Sequence, residues 1–487
     1  MGGTDMGGTD MNNNDVVVVL PGIMGSTLGV RGKDGSPASD NLFWAPSGGA
    51  IWKLITRRNS ILDHELPEGI GDAHPDDGVE PVGLMPDVHA IPGIWTPLKG
   101  YDVLVKHLRS LGYHEATGDR PANLVPAPYD WRLSNRYNGR QIASIVEPAL
   151  DRWRAQGGEY ADARLVFVCH SMGGLVARWY IEKCGGHEVT RKLITLGTPW
   201  RGATNAVEQL VNGVRKGIGP LSVNLTGFAR SLPSLHQLMP EFACIANGSG
   251  YLKTTETTIP ELRTAMVSDA MTFHTELQDA ERGRADSRSM AHLVVGIRQP
   301  TNTTVRLSEG RATVSETFGP DNDYGDGTVP LAGAIGHDER LDTNIAVRVP
   351  ENHSALQCNR FVLDQVQELL TAAPVRRRDL SSVTVRARVP DLVVQGESLD
   401  VDVDAEVEAD AGPLGAAPPS ALEVTVRTEK GKVLAHEIVT VDGEGSGRAS
   451  FPGLPAGTHT VTITGPTPAA GVRPVTSSTV VWPTTPD

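Results

Sequence analysis

The sequence predicts an α/β protein with a mostly parallel sheet covered on both faces, followed by a small all-β sandwich. Three observations carry this. Short apolar runs at 16–20, 165–169, 192–196, 292–297 and 345–349 alternate with helical patterns, as expected of strands buried on both sides. The run Leu165-Val-Phe-Val-Cys-His-Ser-Met-Gly-Gly174 takes one of these strands straight into a turn of small residues. After Pro374 the composition shifts to short β-branched stretches separated by Gly/Pro turns.

Along the chain, residues 1–14 begin with a duplicated Met-Gly-Gly-Thr-Asp and continue into Asn12 to Asn14, so a disordered segment is expected. A strand at 16–20 follows, then a Gly-, Pro-, Asp- and Trp-rich stretch over 31–95. Leu104, Leu108 and Leu111 form a helical stripe ending at Gly112, and Ile142, Ile145, Val146, Ala149, Leu150 and Trp153 mark a core-facing helix over 140–156. Residues 203–290 read as a long insertion of mixed helical character, and Phe361 through Leu370 as a closing helix. Insertions of this length in a compact enzyme are expected to be lids, so 31–95 and 203–290 are assigned that part within a unit spanning 15–374. Strands at 382–388, 398–408, 422–428, 434–441 and 457–464 predict an immunoglobulin- or fibronectin-like sandwich over 380–487, without a catalytic cluster and suited to a protein partner.

Composition narrows the class. With 487 residues and 39% apolar content the chain can bury a large core, and a net charge of −14 argues against nucleic-acid binding. Four cysteines without CxxC or Cys/His spacing predict neither a zinc site nor a disulfide framework. The N-terminus shows no positive n-region or long apolar h-region, so a soluble, cytoplasmic protein, peripheral at membranes at most, is expected.

Ser171 at the tip of the strand–turn–helix run is placed as a nucleophile, in the manner of an α/β-hydrolase elbow. The usual pattern is G-x-S-x-G; Cys169 replaces the first glycine and Gly173 supplies the second. In that fold the order is Ser, acid, His, each on a loop after a strand. Asp326 in Gly325-Asp-Gly-Thr-Val-Pro330 is the best acid, with Asp321 and Asp323 competing; His353, between the strand at 345–349 and the helix at 361–370, is the best base, with His337 as rival. The oxyanion hole is expected from the backbone N–H of Met172 and from the glycine loop after the first strand, at Ile23 and its neighbour Met24. No metal or cofactor is required by this chemistry.

Five ordered motifs, Leu20-Pro-Gly-Ile-Met-Gly-Ser-Thr-Leu28, Ala127-Pro-Tyr-Asp-Trp-Arg132, Cys169-His-Ser-Met-Gly-Gly174, Leu196-Gly-Thr-Pro-Trp-Arg-Gly202 and Gly325-Asp-Gly-Thr-Val-Pro330, resemble the lecithin:cholesterol acyltransferase family over about 15–372. That family includes lysosomal phospholipase A2 and phospholipid:diacylglycerol acyltransferases. The resemblance implies Ser171, Asp326 and His353 as triad, Ile23 and Met172 at the oxyanion hole, and an acyl-enzyme resolved by water or an alcohol. It also implies that Met24, Tyr129 and Trp131 help shape the acyl site, with Asp130 and Arg132 either assisting or forming a structural ion pair. The secreted vertebrate members carry a secretion signal and a disulfide-closed lid loop; neither is found here, so lipoprotein and lysosomal roles are not expected. The resulting expectation is a serine-dependent hydrolase or acyltransferase of lipid acyl esters, most of all phospholipids. The alternatives are a soluble short-chain esterase or thioesterase and a non-catalytic scaffold. Trp44, Trp52, Ile91, Ile94 and Trp95 are expected either to touch a lipid surface or to form core.

Overall fold

The computed structural model describes residues 14–45, 61–86, 100–216, 223–259, 261–284, 290–317, 324–335, 346–371, 383–407, 419–429, 431–443, 445–466 and 472–483. The N-terminal segment 1–13, His337, Asp321, Asp323, Trp52, Ile91, Ile94 and Trp95 lie outside the described residues.

Six strands form the central sheet: β1 (Val16–Leu20), β2 (Leu124–Pro126), β3 (Leu165–His170), β4 (Thr190–Leu196), β5 (Ala291–Gly296) and β6 (Ala346–Val349). Their order is β6-β5-β4-β3-β1-β2, every pair parallel. β1 lies between β3 and β2, with Val18 opposite both Phe167 and Val125. All five of its residues are sealed from solvent, which is why they are continuously apolar rather than alternating. The chain therefore has the α/β-hydrolase fold, with its loops gathered at the carboxyl ends of the strands.

Helices α1 (Asp102–Ser110), α2 (Asn135–Arg154), α3 (Gly173–Lys183), α4 (Thr204–Asn212), α5 (Thr264–Gly283) and α6 (Arg360–Thr371) surround it, with shorter turns between. α2 begins five residues before the apolar stripe predicts, because its first turn is buried through polar groups. The Ser134 side chain accepts from Tyr137 N–H at 3.0 Å and donates to Asp72 at 2.6 Å, and Asn135 N–H donates to Gln237 Oε1 at 2.7 Å. A helix start held by hydrogen bonds carries no apolar period.

The two insertions carry regular structure where they are described. Strands Ser26–Val30, Leu42–Trp44 and Val79–Leu84 form a three-stranded sheet. Arg132, fully buried, ties this region to the loop after β2: it donates to Asp130 at 2.7 Å, Asp77 at 2.8 Å and the His64 carbonyl at 3.2 Å. Asp130 and Arg132 are thus the buried pair of an ion-pair triad whose third member, Asp77, reaches solvent. Trp44 is buried in the same core, its indole N–H bonded to the Met24 carbonyl at 2.9 Å, so it faces no lipid surface. In the second insertion α5 packs on α3, with Trp179 stacked on Phe273 and Arg178 paired to Glu281 at 2.7 Å.

Beyond α6, a second hydrophobic core gathers Val385, Val401, Leu422, Val424, Val461 and Val475. It lies between a three-stranded sheet, β7 (Val383–Arg388), β9 (Leu399–Val407) and β12 (Ser446–Phe451), and a five-stranded one. The latter runs β8 (Leu392–Val394), β14 (Val475–Trp482), β13 (Gly457–Thr464), β10 (Ala421–Thr428) and β11 (Val433–Thr440). Three of these strands, β8, β12 and β14, are absent from the sequence reading. One has three residues, and the other two interrupt their apolar positions with Ser, Gly and Thr.

Candidate active site

β3 runs directly into α3, and Ser171 sits at the junction with φ of 52°, a left-handed backbone conformation that a serine adopts only when its surroundings impose it. What imposes it is backbone bonding on both sides: Ser171 N–H donates to the Leu196 carbonyl at 2.9 Å, and the Ser171 carbonyl accepts from Gly174 N–H at 3.0 Å and Thr198 Oγ1 at 2.8 Å. Gly173 is required for space, since a Cβ there would stand 2.4 Å from the Pro21 carbonyl oxygen. Cys169 departs from the usual glycine without cost: it is an ordinary strand residue, paired with Leu20 and Thr195, and its side chain is fully buried.

Three loops bring the predicted polar residues together. Asp326 follows β5 and His353 follows β6, and both are buried beside Ser171. His353 Nε2 lies 2.9 Å from Ser171 Oγ and His353 Nδ1 lies 2.7 Å from Asp326 Oδ2. A carboxylate only accepts, so Nδ1 carries the hydrogen and Nε2 is left to accept from the serine hydroxyl. The other carboxylate oxygen accepts from Thr328 N–H at 3.0 Å and Val329 N–H at 2.7 Å, and the His353 N–H donates to the Asp326 carbonyl at 2.7 Å. Asp326 and His353 are thereby held by backbone as well as by side chains.

The loop after β1 crosses in front of the elbow. Among the described residues neither Ile23 N–H nor Met172 N–H has a hydrogen-bond partner, so both are free to donate. Met24, with φ of 62°, turns this loop back toward the strand Ser26–Val30. Tyr129 and Trp131 hold the loop by their polar ends: the Tyr129 hydroxyl donates to the Pro21 carbonyl at 2.8 Å and the Trp131 indole to the Ser26 carbonyl at 3.2 Å. Among the described residues no group of three or more His, Cys, Asp or Glu could hold a metal ion.

Two residues that sequence reasoning passed over complete the site. His170 is fully buried, and its ring lies 3.0 Å from the Tyr101 hydroxyl through Nδ1 and 3.0 Å from the His353 carbonyl through Nε2. The carbonyl can only accept, so Nε2 carries the hydrogen, Tyr101 donates to Nδ1, and Tyr101 in turn accepts from Gly22 N–H at 2.7 Å. This chain of bonds links the loop after β1, the elbow and the loop that carries His353. Burial, with the His353 ring beside it, pushes the His170 pKa down from 6.5 to about 3. The neutral ring contributes stability above pH 6.5 that is lost as pH falls toward 3, because only the unfolded chain takes up the proton in that window. His170→Gln keeps an amide donor and a carbonyl acceptor but cannot titrate. Its Tm is expected to fall less steeply than that of the wild type between pH 6.5 and 4, by a slope equivalent to about one proton; parallel curves would refute the assignment.

The family model described as lecithin:cholesterol acyltransferase matches residues 94–289. The human lysosomal phospholipase A and acyltransferase is 27% identical over 146 residues, covering 29% of this chain and 32% of that protein. The protein of the same name from Rattus norvegicus is 28% identical over 143 residues, covering 28% of this chain and 32% of that protein. The chain thus spans about a third of the length of the curated relatives it matches. Among solved structures, the Bacillus licheniformis lipase BlEst2 in its propeptide form is 11% identical with a TM-score of 0.34, over 96% of this chain and 93% of that one.

The expectation of a cytoplasmic location is corrected by these relatives, whose printed names place them in the lysosome. The four cysteines are free, but a core of this size needs no disulfide, so their state does not report a compartment. No helix among the described residues is long and apolar enough to cross a membrane. The motifs at 127–132, 169–174 and 196–202 fall inside the matched span, and over that span the chain is similar to the lecithin:cholesterol acyltransferase family.

Proposed function

We propose that this protein is a serine-dependent lipid acyl hydrolase that also transfers acyl groups, with Ser171 as nucleophile, His353 as general base and acid, and Asp326 as the group that orients it. The observation that carries the reading is the unbroken hydrogen-bonded line from Ser171 Oγ through His353 to Asp326, 2.9 Å and 2.7 Å long, with the Ile23 and Met172 backbone amides unpaired among the described residues. Ser171 Oγ attacks the ester carbonyl as its proton passes to His353 Nε2, and the oxyanion accepts from Ile23 and Met172 N–H. Collapse breaks the bond to the alcohol, which leaves with the proton from His353, and the acyl group remains on Ser171. Water or a second alcohol then attacks with His353 again as base, releasing a fatty acid or a new ester. Phospholipids are the substrate class supported by the family match and by relatives named for phospholipase A and acyltransferase activity.

The test is fatty-acid release from vesicles containing phosphatidylcholine and triacylglycerol, with products identified by mass spectrometry, alongside fluorophosphonate labelling and peptide mapping. The expected result is release of fatty acid with lysophospholipid and a single label on Ser171. Labelling of Ser171 with turnover confined to short-chain esters would replace the lipid reading by the short-chain esterase. Absence of both label and release would end the hydrolase reading.

A further inference from the structure

The C-terminal sandwich meets the hydrolase fold at the two loops that carry Asp326 and His353. It does so through the exposed edges of two strands, one from each of its sheets. On β14, Thr476 turns both backbone groups outward: its N–H donates to Glu351 Oε1 at 2.9 Å and its carbonyl accepts from Asn352 Nδ2 at 3.1 Å. On β7, the fully buried Gln299 side chain forks between the Val385 carbonyl at 3.2 Å and the Ala387 N–H at 3.4 Å. Side-chain carboxylate and amide groups thus occupy the places a neighbouring strand would take, and both edges are covered.

The hydrolase residues that make these bonds are immediate supports of the site. Glu351 is buried two positions before His353. Its Oε1 also accepts from Asn352 N–H at 2.9 Å, and its Oε2 accepts from Asn359 Nδ2 at 3.0 Å, which ties the base loop to the start of α6. Gln299 follows β5, and its backbone pairs with Gly325, the residue before Asp326, through Gln299 N–H to the Gly325 carbonyl at 2.9 Å. Around these bonds lie Arg388 paired with Glu316 at 2.6 Å and the Arg386 guanidinium over the Tyr324 ring at 4.9 Å.

We propose that the sandwich is a working part of the active site: it clamps the acid and base loops in register, with Glu351 and Gln299 as positioning residues that act through Asp326 and His353. The proposal rests on the triad reading above. Its mechanism is geometric, since Ser171 is placed by the rigid elbow whereas Asp326 and His353 sit on loops that need an outside support.

The test uses the full chain and two variants that release the clamp from opposite sides. Thr476→Pro removes the N–H that Glu351 accepts while leaving the side of β14 that faces β13; Gln299→Met keeps the volume but removes the fork. Both are expected to lower kcat and the rate of fluorophosphonate labelling of Ser171 by about 10- to 100-fold, with KM unchanged. Thr476→Val, which retains the N–H, is expected to restore the wild-type rate. The double variant Glu351→Ala with Thr476→Pro is expected to lose no more than the worse single one, since both break one link. Folding is checked by circular dichroism and Tm; if Thr476→Pro does not fold, Glu351→Ala and Gln299→Met decide. Folded variants that label at the wild-type rate overturn the proposal, as do faster ones, which would make the sandwich a restraint. A wild type that does not label at Ser171 would instead defeat the triad reading itself.

Discussion

Asp326→Asn is expected to lower kcat for ester hydrolysis about ten-thousand-fold while leaving the fold in place. Asp326 Oδ2 lies 2.7 Å from His353 Nδ1, and its other oxygen accepts two backbone N–H groups. An asparagine that keeps its carbonyl oxygen on Thr328 and Val329 must turn its amide toward the imidazole. Two donors cannot face one another, so His353 is driven to the tautomer with its hydrogen on Nε2. That nitrogen can then no longer accept the serine proton. Replacement of the whole side chain by alanine would confuse this effect with loss of the 326–329 turn, which is why the isosteric variant is the informative one. Single-turnover kinetics with a chromogenic ester, together with a Tm measurement, checks it. A loss below tenfold in a folded variant would mean that Asp326 does not orient the base.

How much of this could be read beforehand depends on whether a residue's role is local. β1 and β3 were legible because strands sealed on both faces must be apolar at every position. β2 was not, being three residues held by its neighbours rather than by its own pattern. Ser171 announced itself because the elbow restricts the residues around it in sequence. Asp326 and His353 could be selected by chain order and by their places after strands, and the structure brings both to Ser171. Tyr101 could not, since its contribution is a contact with Gly22 and His170 across 79 and 69 positions. His170 lay inside the quoted elbow motif, and its immediate proximity to the serine was the available signal. Gln299 and Glu351 show the same limit more sharply: each looks like an ordinary polar loop residue until the sandwich edge is beside it.

Gly22 gives the second large effect. Gly22→Ala is expected to lower kcat about 100- to 1000-fold with little change in KM, because an oxyanion donor acts on the transition state and not on the bound ester. A Cβ at this position would lie 2.8 Å from Ser171 Cβ and 3.3 Å from His170 Nδ1. Those atoms cannot yield: Ser171 is held by the elbow, and the His170 ring is fixed between Tyr101 and the His353 carbonyl. The loop after β1 must move instead. As it moves, Gly22 N–H leaves the Tyr101 hydroxyl, and in the proposed mechanism Ile23 N–H leaves the oxyanion position while Met172 N–H, on the elbow itself, stays. One donor of two remains, which sets the size of the loss. In the proposed mechanism the serine is still activated by His353, so a reagent that depends on nucleophilicity more than on oxyanion stabilisation is expected to label the variant with a smaller defect than the ester shows. Equal turnover by wild type and variant would remove the loop after β1 from the oxyanion hole.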